Sequence, residues 1–132
     1  MSILMTGILC LFMSSAVFGQ QEGRASYYSD ALKGRKMANG ERYDPDMLTC
    51  AHRDLPFGSI LKIALKNDPD HSVMVTVTDR GPYVKGRIVD LSKAAAREIG
   101  LLHHGVAEVV VAVVKMPGMD EPAATGIGGG GK

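Results

Sequence analysis

Between Ser59 and Val114 a period of two in apolar and polar side chains dominates, the signature of half-buried strands. "SILKIAL" (Ser59 to Leu65) alternates, "SVMVTVTD" (Ser72 to Asp79) does so with β-branched residues, and "AEVVVAVV" (Ala107 to Val114) is a nearly continuous apolar strand. "NDPD" at Asn67 to Asp70 reads as the turn of a hairpin joining the first two. One segment breaks the alternation. "SKAAAREIG" opens on an N-cap residue, Ser92, carries Ala94, Ala95, Ala96 and Ile99, and stops at Gly100, so it predicts a two-turn helix. A strand over "RASYY" and a short helical segment near Asp30 to Lys36 complete the pattern. A β-rich chain of this size must close or cover its sheet edges, so the order predicts a mainly β fold, a small barrel with two short helical insertions.

The two ends differ from this middle. Met1 to Gly19 has no charged residue and runs apolar through "ILMTGILCLFM" before the smaller side chains of "SSAVFG". The run is too short and too interrupted for a spanning helix and reads as a signal peptide over residues 1–19, which predicts export. Leu9 stands where a lipidated cysteine needs a small neighbour, so lipidation at Cys10 is disfavoured. The stretch 115–132, "KMPGMDEPAATGIGGGGK", is rich in Gly, Pro and Ala and is expected to be a disordered tail. That leaves one domain over 20–114.

Composition excludes more than it assigns. The 132 residues carry 15 Lys and Arg against 14 Asp and Glu, a formal net charge of +1, which gives no electrostatic reason to expect nucleic acid or an anionic membrane as partner. Of the two cysteines only Cys50 lies in the domain, so no internal disulfide supplements the core and stability must come from packing.

Candidate chemistry concentrates in "TDRGPYVKGRIVDLS", Thr78 to Ser92. Asp79 ends a strand, Gly81, Pro82 and Gly86 turn the chain, and Ile88 and Val89 lead back to Asp90 at the helix approach. Two carboxylates brought together in this way do not ionise independently, and a general acid needs one that keeps its proton. The plainer alternative is that Asp79 caps the loop and Asp90 bonds backbone N–H groups near the helix start. "MANGERYDPDMLTCAH", Met37 to His52, adds Glu41 and His52, with Asn39 and Gly40 in a turn before Glu41. Asp44 before Pro45 reads as a turn former. His103 and His104 have no third ligand nearby, so no metal is expected, and no cofactor.

The pieces "ASYY", "ANGE", "AH" followed by "LPFG", "DRGP" and "DLS" with an Ala-rich helix occur in an order and spacing that resemble the rare lipoprotein A (RlpA)-like family, over about Gly23 to Val114. The resemblance implies a six-stranded double-psi β-barrel with a groove, acting on the cell wall in the periplasm or envelope. There some members are lytic transglycosylases that cleave peptidoglycan glycan strands lacking stem peptides, without metal. Carried over by position, it implies Glu41, His52, Asp79 and Asp90 as catalytic candidates. Asp90 or Asp79 would be the acid, with Glu41 and His52 orienting the sugar. Asn39, Tyr28, Arg80 and Tyr83 are the candidate substrate contacts, with Arg80 expected to fix a carboxylate by a charge-assisted bond. Met37 and Cys50 depart from the Thr and Ala usual in the family, both beside the expected groove. With no wall-binding repeat following the barrel, binding to the wall would rest on the barrel itself. Two rival readings use the same residues. An expansin-like, non-catalytic glycan binder is disfavoured by the absence of Trp and the few aromatics, Tyr27, Tyr28, Tyr43, Tyr83 and Phe57, available as a stacking platform. A structural protein contacting other envelope proteins would tolerate loss of either aspartate.

Overall fold

The computed structural model describes residues 19–118. The expected signal peptide and most of the expected tail lie outside the described residues. Six strands form a closed barrel: β1 (Gln20–Tyr27), β2 (Thr49–Ala51), β3 (Ile60–Leu65), β4 (Asp68–Asp79), β5 (Arg87–Leu91) and β6 (Ala107–Lys115). Around the barrel they run in the order β1, β5, β2, β4, β3, β6, and β6 closes on β1. The β1–β5 and β2–β4 pairs are parallel; the others are antiparallel. Closure leaves no unpaired strand edge, the requirement that the sequence pattern implied.

The period-two pattern becomes the barrel wall. Val73, Val75 and Val77 of β4, Leu61 and Ile63 of β3, and Val109 and Val111 of β6 point inward and are buried, while Lys62 and Met74 between them are exposed. Cys50, Val89, Leu91, Ala95, Ala96, Ile99 and Leu101 complete a continuous core. The helix α1 (Lys93–Glu98) lies where the short helix was expected, between Ser92 and Gly100. Its cap is as read: Ser92 Oγ accepts from Ala95 N at 3.2 Å, and Gly100 takes the left-handed conformation at φ 77°. Single 3₁₀ turns occupy Asp30–Leu32 and Leu101–His103.

Two boundaries differ from the sequence reading. The β3–β4 turn is the residue pair Lys66 and Asn67, with Leu65 already opposite Asp68, so "NDPD" lies mainly in strand. Pro69 is accommodated beside the register shift between Ala64 and Leu65, where the ladder is interrupted. At the other end β6 runs one residue past the expected limit, to Lys115.

Candidate active site

Register places the two aspartates. On β2, Cys50 lies opposite Val77 of β4 on one side and Leu91 of β5 on the other, all three in the core. The next residue, Ala51, pairs with Asp90 on the β5 side. On the β4 side an unbroken ladder would set Ala51 opposite Thr78, but the register shifts after Cys50 and Ala51 instead faces Asp79. One irregularity in a three-residue strand therefore brings Asp79 and Asp90 to the same level of the barrel, on either side of Ala51. Two strand spacings put their backbones about 10 Å apart. Both side chains line one open cleft of about 240 Å³.

Each carboxyl has its own hydroxyl partner. Ser26 pairs with Asp90 across the parallel β1–β5 ladder, and its Oγ donates to Asp90 Oδ1. Tyr28, two residues on and therefore on the same face, donates its hydroxyl to Asp79 Oδ2. Asp79 Oδ1 also accepts from Ala38 N and from Arg80 N, each at 2.8 Å. Among the described residues, then, both oxygens of Asp79 are occupied, whereas Asp90 Oδ2 accepts no hydrogen bond. The two carboxyls are thus separately anchored, Asp90 through Ser26 and Asp79 through Tyr28, with β2 running between their strands.

The rest of the cleft comes from the segment joining β1 to β2. Gly34 N donates to Tyr43 O at 2.9 Å, Tyr43 N to Arg35 O at 2.8 Å, and Met37 N to Glu41 O at 2.7 Å, with Lys36 bridged to Arg42. These bonds fold 34–43 into a narrow excursion that sets Arg35, Lys36, Met37 and Tyr43 in the lining beside Leu32 and Tyr28. The excursion is docked onto β4, since Asn39 N donates to Thr78 O and Thr78 Oγ1 contacts Met37 Sδ at 3.3 Å. Tyr43 stacks against Tyr28 with ring centroids 4.6 Å apart. Burial, then the Asp79 hydrogen bond and charge, push the Tyr28 hydroxyl far above the usual tyrosine range, so it remains a donor at neutral pH. Burial likewise raises Tyr43, whose hydroxyl accepts from Lys93 N at the start of α1.

The other expected site residues lie elsewhere. His52 is buried beneath a separate depression bordered by Gln21, Leu55 and Val111. Its Nδ1 accepts from Asp54 N and Leu55 N at 3.0 and 3.1 Å, and its Nε2 meets Gln21 Oε1 at 2.9 Å. Those bonds need an unprotonated Nδ1 and make the ring a clasp for the 52–55 turn; burial is the chief reason its pKa is lowered. The Arg80 guanidinium donates to His52 O and Leu55 O at 3.0 and 2.8 Å and lies 4.0 Å over the Phe57 ring. It braces the 52–57 segment rather than a carboxylate, and only its backbone N–H reaches Asp79. Glu41 and Asn39 bond each other at the exposed tip of the excursion, outside the cleft lining. Tyr83 is 76% exposed on the loop after β4 and also lies outside it. Of the two departures, Met37 lines the cleft while Cys50 is enclosed in the core, where burial raises its thiol pKa. Ser26, Arg35 and Lys36 went unread in the sequence; the "ASYY" motif held the one signal for Ser26, its position two residues before Tyr28. Among the described residues no three His, Cys, Asp or Glu side chains converge as metal ligands.

Residues 20–111 match the lytic transglycolase family, covering all of the barrel except the end of β6. The chain belongs to that family. Among its relatives, the endolytic peptidoglycan transglycosylase RlpA of Pasteurella multocida is 46% identical over 97 residues, 73% of this chain and 32% of the relative. The protein of that name from Neisseria meningitidis is 43% identical over 105 residues, 79% of this chain and 43% of its own length. This chain thus spans less than half of either. Among solved structures, the Streptomyces papain inhibitor superposes with a TM-score of 0.59 at 22% identity, covering 75% of this chain and 97% of its own. The expansin of Clavibacter michiganensis gives 0.57 at 23% identity over 75% of this chain and 52% of its own. At these identities the two structures establish the double-psi barrel fold alone. The strand order and the family agree with the fold expected from the sequence.

Proposed function

We propose that this barrel is an endolytic peptidoglycan lytic transglycosylase, cleaving the bond between N-acetylmuramic acid and N-acetylglucosamine in strands poor in stem peptides and leaving 1,6-anhydro-N-acetylmuramic ends. The observation that carries the reading is the pair Asp79 and Asp90 lining one cleft, in a chain whose relatives bear the name endolytic peptidoglycan transglycosylase. Export to the periplasm or envelope follows from the substrate and from the apolar start of the chain. Among the described residues no helix is long and apolar enough to cross a membrane.

Asp90 is the preferred acid, because its Oδ2 accepts no hydrogen bond from the described residues while Oδ1 is held by Ser26. In its protonated form it gives the proton to the glycosidic oxygen as the C1–O bond breaks and positive charge develops on the muramic ring. The resulting carboxylate takes the proton from the muramic C6 hydroxyl as O6 bonds to C1, which regenerates the acid and makes the anhydro ring without water. Asp79, fixed by Tyr28 and two backbone N–H groups, faces the developing charge from the other side of the cleft and stabilises it. An activated water is unnecessary, unlike in inverting hydrolysis.

The test is to incubate the protein with peptide-free glycan strands and weigh the products. Anhydro ends are expected, and Asp90→Asn should lower their rate of formation by about a hundredfold or more. Reducing ends would instead mean a hydrolase; unchanged strands would mean a binder or scaffold.

A further inference from the structure

Arg35 and Lys36 are the two cationic residues in the lining of the Asp79–Asp90 cleft. The ion pairs among the described residues are Lys66 with Glu22, His71 with Asp68 and Lys93 with Asp30, and neither cleft cation takes part in them. Neither side chain donates a hydrogen bond to a described residue, although two aspartates line the same cleft. Their backbone is nevertheless held: Arg35 N donates to Leu32 O at 2.9 Å, Arg35 O accepts from Tyr43 N, and Lys36 is bridged to Arg42. The result is two uncommitted positive groups on a fixed backbone, bordering a cleft whose other charged groups are acidic. Ordinary surface cations would be solvated in the same way, but their place in the lining makes them the groups that an anionic portion of a ligand would meet.

The substrate proposed above supplies such an anion. A muramic residue without a stem peptide ends its lactyl ether in a free carboxylate, whereas attachment of a peptide converts that group into an uncharged amide. We propose that Arg35 and Lys36 bind the lactyl carboxylate of the muramic residue held in the cleft and so select strands without peptides. Guanidinium can take both carboxylate oxygens at once, and the ammonium adds a point charge. The pair also offsets the repulsion that Asp79 and Asp90 would exert on an anionic sugar. This inference rests on the glycan reading of the cleft, and it adds the group that discriminates.

Binding separates it from cleavage. Asp90→Asn protein would be titrated calorimetrically with peptide-free glycan oligomers whose lactyl groups are either free carboxylates or methylamides. The free form should bind about fivefold to tenfold more tightly at low salt, with the preference shrinking as salt is raised. Adding Arg35→Gln and Lys36→Gln should remove the preference, weakening binding of the free carboxylate form far more than that of the methylamide. Equal binding of the two forms, no binding of either, or a preference that survives the double substitution would overturn the proposal. If the double variant fails to fold, Arg35→Gln and Lys36→Gln are introduced singly, each expected to reduce the preference; a preference unchanged in both would overturn the proposal. Product analysis with the unsubstituted protein is read independently. A carboxylate preference without anhydro products would sink the transglycosylase reading alone, and anhydro products without a preference would sink this one alone.

Discussion

Tyr28 ties the candidate site to its neighbours through a single hydroxyl. Its ring packs on Tyr43 and its oxygen donates to Asp79, so the aspartate's orientation depends on a residue 51 positions away in sequence. Tyr28→Phe keeps the ring and removes the donor. A hydrogen bond contributes about 1 kcal/mol, so formation of anhydro product should slow by about fivefold, with the thermal midpoint little changed; an undiminished rate would remove Tyr28 from the site. His52 gives a prediction about stability. Its folded-state pKa lies below the ordinary value of 6.5, mainly through burial, so the unfolded chain binds a proton more readily. The His52 contribution is therefore intact above about pH 6.5 and is lost as pH falls through that value toward the lower folded pKa. Denaturant unfolding at pH 8, 6.5 and 5.5 should show falling stability, and His52→Asn, whose amide oxygen can still accept from the turn, should flatten that slope. An unchanged slope would assign the effect elsewhere.

At the scale of elements, the short pieces do most of the positioning. β2 has three residues, yet it separates β4 from β5 and its register shift sets the level of Asp79. Ser92 joins it to the helix: its Oγ accepts from Ala95 N and from Thr49 N at 3.3 Å, with 1% of the residue exposed. Ser92→Ala should cost about 1–2 kcal/mol, since it removes a cap and leaves buried N–H groups without that partner. Equilibrium unfolding in urea measures it, and a loss below about 0.5 kcal/mol would show that the cap is dispensable. The helix was legible because its cap, alanines and terminal glycine are local signals. The turn was misjudged because Pro69 suggests a break, and only the interrupted β3–β4 ladder shows how strand accommodates it. The 34–43 excursion was legible only as turns; its bonds join residues on opposite arms, and no period marks them.

Over the whole molecule, stability depends on one enclosed core with no disulfide within the barrel. Leu61 is fully buried and pairs with Val75 on one side and Val113 on the other, so it contributes to both seams of β3. Leu61→Ala should lower unfolding free energy by about 2–5 kcal/mol, through lost transfer energy and the cavity left behind. Because closure makes every strand depend on two neighbours, the loss should appear as one cooperative transition at lower urea concentration. Two separated transitions would mean that part of the barrel melts alone.

The local pattern by itself determined that the domain is β-rich, that alternate positions of its strands are apolar, and that one capped helix interrupts it, since these follow from side-chain direction and local hydrogen bonding. The motif residues pointed to Asp79, Asp90 and Tyr28 as belonging to one site. Tertiary structure alone decided which strands are neighbours, and with that the hydroxyl partners of the aspartates, the separation imposed by β2, the removal of His52 and Glu41 from the cleft, and the entry of Arg35 and Lys36. Pairing between strands far apart in the chain is fixed by closure of the barrel around a common core, and a local pattern of two carries no record of which partner that closure will choose.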